Sequence, residues 1–192
     1  MNDFPLKVDC KGKSVTLTVF GADDIAAVAA FAQTVPVHDL LFLGRDIQHP
    51  KVMQAWASSI VEGDVVSLLA WLDDKVVGTS AIVRDAHGWS PHVAELRLLI
   101  GEDVRGLGLG RMLLQHSFTM AVDGGAEKLI ARMTPDQKGA IAMFEEMGFR
   151  GEALLRDHVR DRNGDAHDLA IFSLNVGRIG ASQGAYGFSE EY

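Results

Sequence analysis

Seven consecutive residues, Arg105-Gly106-Leu107-Gly108-Leu109-Gly110-Arg111, concentrate backbone freedom and positive charge in one short stretch. Glycine lets the main chain approach a ligand closely, and the first N–H groups of a helix carry partial positive charge. A glycine-rich turn that opens a helix is therefore a cradle for an anion such as phosphate or pyrophosphate. The flanking residues supply that context: a strand-like run ends near Ile100, and a helical run continues through Met112, Leu113 and His116. Two nucleotide motifs fail at named positions. A dinucleotide fingerprint G-x-G-x-x-G begun at Gly106 requires glycine where Arg111 stands, and it lacks an acidic residue closing a second strand about 20 positions on. A P-loop requires Gly-Lys-Ser/Thr, which is absent. What remains is Arg-x-x-Gly-x-Gly between a strand and a helix; a tight strand-to-helix connection with no ligand is the plain alternative.

The other groups with chemistry to offer are fewer. Cys10 is the only cysteine, so neither an internal disulfide nor a multi-cysteine zinc site can form. The seven histidines, 38, 49, 87, 92, 116, 158 and 167, show no paired metal-ligand spacing, and no metal is expected. His92 and His116 flank the glycine-rich turn in sequence. Trp56, Trp71 and Trp89 read as core or loop anchors, because no basic residues interleave with them as in a base-stacking surface.

The elements that must position these groups follow from periodicity. Residues 14–20 alternate polar and apolar as a half-buried strand does. The acidic pair Asp23-Asp24 precedes Ile25, Val28, Ala29 and Ala32, one apolar face of a helix that runs to about Thr34. Residues 36–50 have no clear period and read as an ordered loop or broken helix. A second amphipathic helix starts at Lys51. Apolar runs at 65–72 and 76–83, separated by Asp73-Asp74-Lys75, form a hairpin, and Val93 to Ile100 is a further strand. After the glycine-rich turn come a helix to about Val122, a strand over 128–133, and a helix opened by Pro135-Asp136 and closed by Gly148. Two last strands, about 152–160 and 167–176, flank the turn pair Asn163-Gly164. Hairpins mixed with a strand-turn-helix-strand unit argue for a mixed α/β or α+β sheet.

The Arg-x-x-Gly-x-Gly turn resembles the acyl-CoA-binding motif of the GNAT superfamily of N-acyltransferases. The likeness runs from residue 14 to 176 in element order. Two more segments carry it: Ala94-Glu95-Leu96-Arg97-Leu98-Leu99-Ile100, similar to the family's fourth strand, and Ala140-Ile141-Ala142-Met143-Phe144-Glu145-Glu146-Met147-Gly148-Phe149, similar to its last helix and the Gly-Phe that follows. The resemblance implies a central, mostly antiparallel sheet of about seven strands, splayed in the middle and flanked by about four helices. It implies acetyl-CoA as co-substrate, with Leu98, Leu99 and Ile100 pairing with the pantetheine arm, Arg105, Gly106, Leu107, Gly108, Leu109 and Gly110 holding the pyrophosphate, and Arg111 adding countercharge. Gln137 falls where the family often has a cofactor-contacting asparagine, and Phe144 where it usually has a tyrosine that protonates the leaving thiolate. Glu95 matches the catalytic glutamate of a subset of the family and is the expected general base. Its plainer role is an ion pair with Arg97 or Arg84 on an exposed face. The expected reaction is direct attack of a primary amine on the thioester in a ternary complex, with the oxyanion held by a main-chain N–H near Leu99 or Ile100. With phenylalanine at 144, a non-catalytic acyl-CoA sensor or interaction module is the rival.

Composition bounds these readings. The chain of 192 residues is long enough for one domain, here 1–176, with a Gly-, Ser- and Ala-rich tail over 177–192 read as flexible. Eighteen Lys and Arg against 26 Asp and Glu give a net charge of −8, which argues against nucleic acid or an anionic membrane as partner. The acidic balance, with Asp39, Asp46, Glu62 and Asp64 near the first two helices, favours a cationic acceptor, either a small amine or a protein lysine or N-terminus. A homodimer accords with the resemblance. The longest unbroken apolar runs, 25–32 and 68–72, fall short of the ~20 residues a membrane span needs. The first residues lack a basic and apolar leader, and the single cysteine accords with a cytoplasmic location.

Overall fold

The computed structural model describes residues 4–177. The period-2 runs pair into one eight-stranded sheet: β1 (Leu6–Cys10), β2 (Lys13–Val19), β3 (Val65–Leu72), β4 (Lys75–Arg84), β5 (Val93–Ile100), β6 (Lys128–Met133), β7 (Arg150–Arg160) and β8 (Ala166–Asn175), in the order β1-β2-β3-β4-β5-β6-β8-β7. Every neighbouring pair is antiparallel except β5 and β6. The strand beyond the expected seven is β1. Its turn residues Lys11 and Gly12 both have positive φ, 52° and 86°, the backbone twist that a two-residue hairpin requires. The tail assigned to 177–192 lies, apart from Gly177, outside the described residues.

Alternation along the strands divides the core in two. On one face α1 (Ile25–Thr34) and α2 (Pro50–Val61) pack with Phe42, Leu43, Leu69 and Leu99. On the other, α3 (Leu109–Asp123) and α4 (Lys138–Glu146) enclose Ala94, Leu96, Leu129 and Phe149. Leu113 and Leu114 of α3 are both fully buried, each burial stabilising by about 1.5–3 kcal/mol. On β5, then, Ala94 and Leu96 belong to the α3 and α4 face, while Glu95, Arg97 and Leu99 belong to the α1 and α2 face.

The segment 36–50 is ordered. A 3-10 turn, Val37–Leu43, buries Leu40, Phe42 and Leu43 and ends at Gly44 in the left-handed region. Gln48 Nε2 pins the return by donating to the carbonyls of Ala32 (2.8 Å) and Val35 (3.0 Å). Trp56 and Trp71 serve as anchors, their indole N–H groups donating to Ser67 Oγ and Thr18 Oγ1. Trp89 does not. It is fully exposed in the loop before β5, because the flanking turn residues give it no apolar surface to cover.

Candidate active site

β5 and β6 run parallel for only three residues, Val93, Ala94 and Glu95 against Lys128, Leu129 and Ile130. Beyond that point β5 continues to Ile100 and β6 to Met133 without pairing, so the sheet opens into a V. The main-chain direction inside the V follows from the other edge of β5. Gly101 N–H donates to Val77 O at 2.8 Å, and antiparallel pairs alternate between bonded and non-bonded, so Leu99 bonds toward Thr79 of β4. Leu98 and Ile100 therefore turn their N–H and C=O groups into the V, where no strand stands opposite. Of the three residues expected to hold the pantetheine arm, Leu98 and Ile100 present main-chain groups to the V. Leu99 instead presents its side chain to the α1 and α2 face.

The glycine-rich turn stands at the open end of β5. Gly106 and Gly108 have φ of 74° and 88°, and a Cβ at either would meet no atom within 4 Å. Gly108 is the N-cap of α3 and, having no side chain, leaves the helix's first N–H groups without a side-chain acceptor, as an anion cradle requires. The turn thus fits a pyrophosphate. Both arginines beside it already hold carboxylates. Arg105 bonds Asp39 and donates to Ile100 O at 3.3 Å, and Arg111 pairs with Glu146 of α4. The Arg111 pair, with both side chains more than half exposed, is worth about 0–1 kcal/mol, so its exchange for a phosphate is inexpensive.

On α4 the two expected contacts part. Gln137 is the N-cap residue of α4 but its side chain turns back toward β6, Oε1 accepting from Thr134 N–H at 3.2 Å. Phe144 is buried and stacks edge-on against Phe149 at 5.0 Å between centroids, a core position. The α4 residue facing the turn is Met143, whose Sδ lies 3.2 Å from where a Cβ on Gly110 would stand. The hydrophobic period of α4 carries both residues and does not say which one faces the turn.

Glu95 is buried, contrary to the exposed-face expectation, and its side chain is only 9 % accessible. The pairing with Arg97 is present: Oε2 accepts from Arg97 Nη2 at 2.9 Å, while Oε1 lies 3.7 Å from Arg132 Nε of β6. Arg84 goes elsewhere, to the carbonyls of Gly124 and Pro91. On the same face a cavity of about 320 Å³ lies between α2, β4 and β5. Its walls include Leu43, Val52, Trp56, Thr79 and Leu99, with Arg45 and Arg97 as its charged members, and Glu95 is not part of its lining.

The 3-10 turn bridges the mouth of the V. Asp39 reaches Arg105 at the end of β5, and the neighbouring His38 Nε2 bonds Asp136 Oδ2 at 2.7 Å just past the end of β6. Burial pushes the Asp136 carboxyl up, but hydrogen bonds from Thr134 and His38 outweigh it and hold the group below the usual carboxylate range. His38 was not singled out from the sequence, since its separation of 98 positions from Asp136 leaves no local signal. The two histidines that flank the turn in sequence stand apart: the His92 carbonyl accepts from Lys128 N–H where β5 begins, and His116 rides on α3 with its ring edge-on to Phe4. No group of three or more potential metal ligands exists among the described residues.

Comparison with known proteins agrees with this geometry. A family model for the Acetyltransferase (GNAT) family matches residues 36–149, more than half of the chain. The chain belongs to the GNAT acetyltransferase family. The solved structures it resembles share its fold. A GNAT-family acetyltransferase from Streptococcus pneumoniae is 22% identical with a TM-score of 0.69, the match covering 83% of this chain and 99% of that one. A spermidine N-acetyltransferase from Vibrio cholerae, in complex with CoA and spermine, is 14% identical with a TM-score of 0.70, covering 85% and 96%. A phosphinothricin acetyltransferase from Sinorhizobium meliloti, in complex with AcCoA, is 18% identical with a TM-score of 0.71, covering 84% and 88%. As a GNAT acetyltransferase the chain uses an acyl-CoA as its acyl donor. No described helix is long and apolar enough to cross a membrane.

Proposed function

We propose that this acetyltransferase moves an acetyl group from acetyl-CoA to a primary amine by direct attack, with both substrates bound at once. The observation that carries the reading is the open edge of β5. Leu98 and Ile100 turn main-chain groups into the V, the uncapped start of α3 stands at its end, and Leu99 of the same strand lines a cavity on the opposite face. A thioester held along that edge meets an amine arriving from the cavity. The amine nitrogen forms the new C–N bond, the C–S bond breaks, and coenzyme A leaves as thiolate while the amine loses a proton.

An alkyl amine with a pKa near ~10 must lose a proton to become nucleophilic and another as the amide forms. We assign the proton acceptor to His38. In the tautomer that donates Nε2–H to Asp136, Nδ1 carries the lone pair, and Nδ1 has no hydrogen bond among the described residues. Glu95, with one oxygen on Arg97 and the other beside Arg132, serves instead to position Arg97. Phe144 has no proton to give, and with a thiol pKa of ~8.5 the thiolate departs without one. Calorimetry with acetyl-CoA, together with thiol release in the presence of an amine panel, tests the reading. Binding with release supports it; binding without release under any amine favours a sensor, and failure to bind at millimolar concentration overturns it.

A further inference from the structure

The cavity on the α1 and α2 face has an uneven chemistry. Its walls are apolar, from Leu43, Val52, Trp56 and Leu99, and the hydroxyls that line it are already engaged: Thr79 Oγ1 donates to Leu68 O at 2.9 Å and Ser59 Oγ to Ala55 O at 3.0 Å. Its ionic groups are both positive. Arg97 shares the single carboxylate of Glu95 with Arg132, which leaves one positive charge uncancelled, and Arg97 Nε is buried without a hydrogen-bond acceptor. Arg45 has no ion pair among the described residues, and no carboxylate lines the cavity.

Arg45 also lines a second groove that continues outward past Arg160 and Arg162 of the β7–β8 hairpin. The acids of that groove are committed. Asp46 accepts from Arg162 and from Gln48 N–H, and Asp161 from His167 and the turn amides. The expectation of a cationic acceptor drew on Asp39, Asp46, Glu62 and Asp64; Asp39 and Asp46 are engaged by arginines, Arg105 and Arg162, while Glu62 and Asp64 hold no ion pair among the described residues but line neither the cavity nor the groove. A polyamine entering here would meet guanidinium groups and find no free acid.

We propose that the acceptor is a small molecule whose skeleton joins a primary amine to an apolar body and a carboxylate or equivalent anion, as in an apolar amino acid, with Arg45 and Arg97 receiving the anion. The fork of a guanidinium matches a carboxylate, and the Arg97 guanidinium, whose side chain is partly exposed, stands in the cavity wall. Glu95 holds the Arg97 fork in place toward the cavity wall. The apolar body lies against Trp56, which is fixed by its bond to Ser67 Oγ and by the edge of Phe20. The amine is left to point along β5 toward Leu99 and the V.

This inference rests on the acetyl-transfer reading, so the experiment separates the two. The full chain saturated with coenzyme A is titrated calorimetrically with N-acetylphenylalanine, in both enantiomers, and with N-acetyl-2-phenylethylamine, which lacks only the carboxylate. One enantiomer of the acid is expected to bind at least about tenfold more tightly than the neutral product, a difference of about 1.4 kcal/mol. Arg45→Met, a change at an exposed position, is expected to bring the two within about twofold with affinity for coenzyme A unchanged. Equal binding, tighter binding of the neutral product, no binding of either, or an unchanged ratio in Arg45→Met overturns the inference. Absence of coenzyme A binding would instead sink the acetyl-transfer reading itself.

Discussion

At the scale of single residues, the carboxylate at 95 and the imidazole at 38 divide roles that the sequence assigned to one group. Glu95 sits in a low-dielectric position with two guanidiniums on its two oxygens, an arrangement that fixes geometry more readily than it accepts a proton. Glu95→Gln is expected to keep the shape of the pH–rate profile, to raise KM for the acceptor more than for acetyl-CoA, and to lower stability by about 1–3 kcal/mol through the charge left partly unpaired. A profile that loses its basic-group limb in this variant would return the base assignment to Glu95. His38→Gln should do the reverse: kcat falls by about 10²- to 10⁴-fold with acetyl-CoA affinity retained, and the limb for the deprotonated group disappears. Steady-state kinetics across pH on the two variants read both outcomes. Sequence alone carried Glu95 and Arg97 as neighbours on one strand face; Arg132 and Asp136 meet their partners only through strand order and the crossing of the 3-10 turn, which no local spacing records.

At the scale of elements, the turn between β5 and α3 was the most legible part of the molecule, because glycines at 106 and 108 have a conformational reason to be there and the strand and helix on either side are strongly periodic. The β1–β2 hairpin was not legible. Its first strand is five residues long, and its Lys-Gly turn lacks the Asn or Asp that usually marks a two-residue loop. The 3-10 turn over Val37–Leu43 was legible as an ordered loop or broken helix but not in its form, since its apolar residues follow no helical period. The glycines of the β5–α3 turn also separate by element. Gly108→Ala places a Cβ in open space but at φ 88°, a left-handed strain of about 1–2 kcal/mol, and should raise the Kd for acetyl-CoA severalfold by tilting the first N–H groups of α3. Gly110→Ala lies inside α3, where alanine is favoured by about 1 kcal/mol, and displaces only the flexible Met143 thioether. It should leave stability equal or higher. Calorimetry and urea denaturation on the pair check the contrast, and a loss of affinity confined to Gly110→Ala would place the cradle elsewhere.

At the scale of the whole molecule, apolar clusters fill both faces of the sheet, and on the face that holds the cavity three aspartates tie the loop and the last hairpin in place. Asp46 joins the α2 approach to the β7–β8 hairpin through Arg162, Asp136 joins the β6 end to His38, and Asp161 braces the hairpin through His167. All three aspartates sit below their ordinary value of 3.8: for Asp161 the His167 bond leads, while for Asp46 and Asp136 opposing burial is outweighed by their hydrogen bonds. A carboxyl depressed in the folded chain binds fewer protons there than when unfolded. Its stabilisation is therefore complete above 3.8 and lost as pH falls through the folded value. His116 acts earlier. Burial holds it below 6.5, so the folded chain resists protonation and stability declines as pH falls from 6.5 toward the folded value. Acid should thus weaken the protein in two stages, the first removed in His116→Gln and the second intact in it, as urea midpoints between pH 7.5 and 3 would show. In the second stage, hydrogen exchange should open residues 37–46 and 157–167 before the amides of β3 and β4. The ties there are partly exposed side-chain bonds to aspartates, whereas Leu68, Leu69 and Ala70 of β3 are almost wholly buried. Simultaneous loss of protection across the sheet at pH 3 would show that the cavity face is not a separate cooperative unit. A single decline centred below pH 4, unchanged by His116→Gln, would remove His116 from the account.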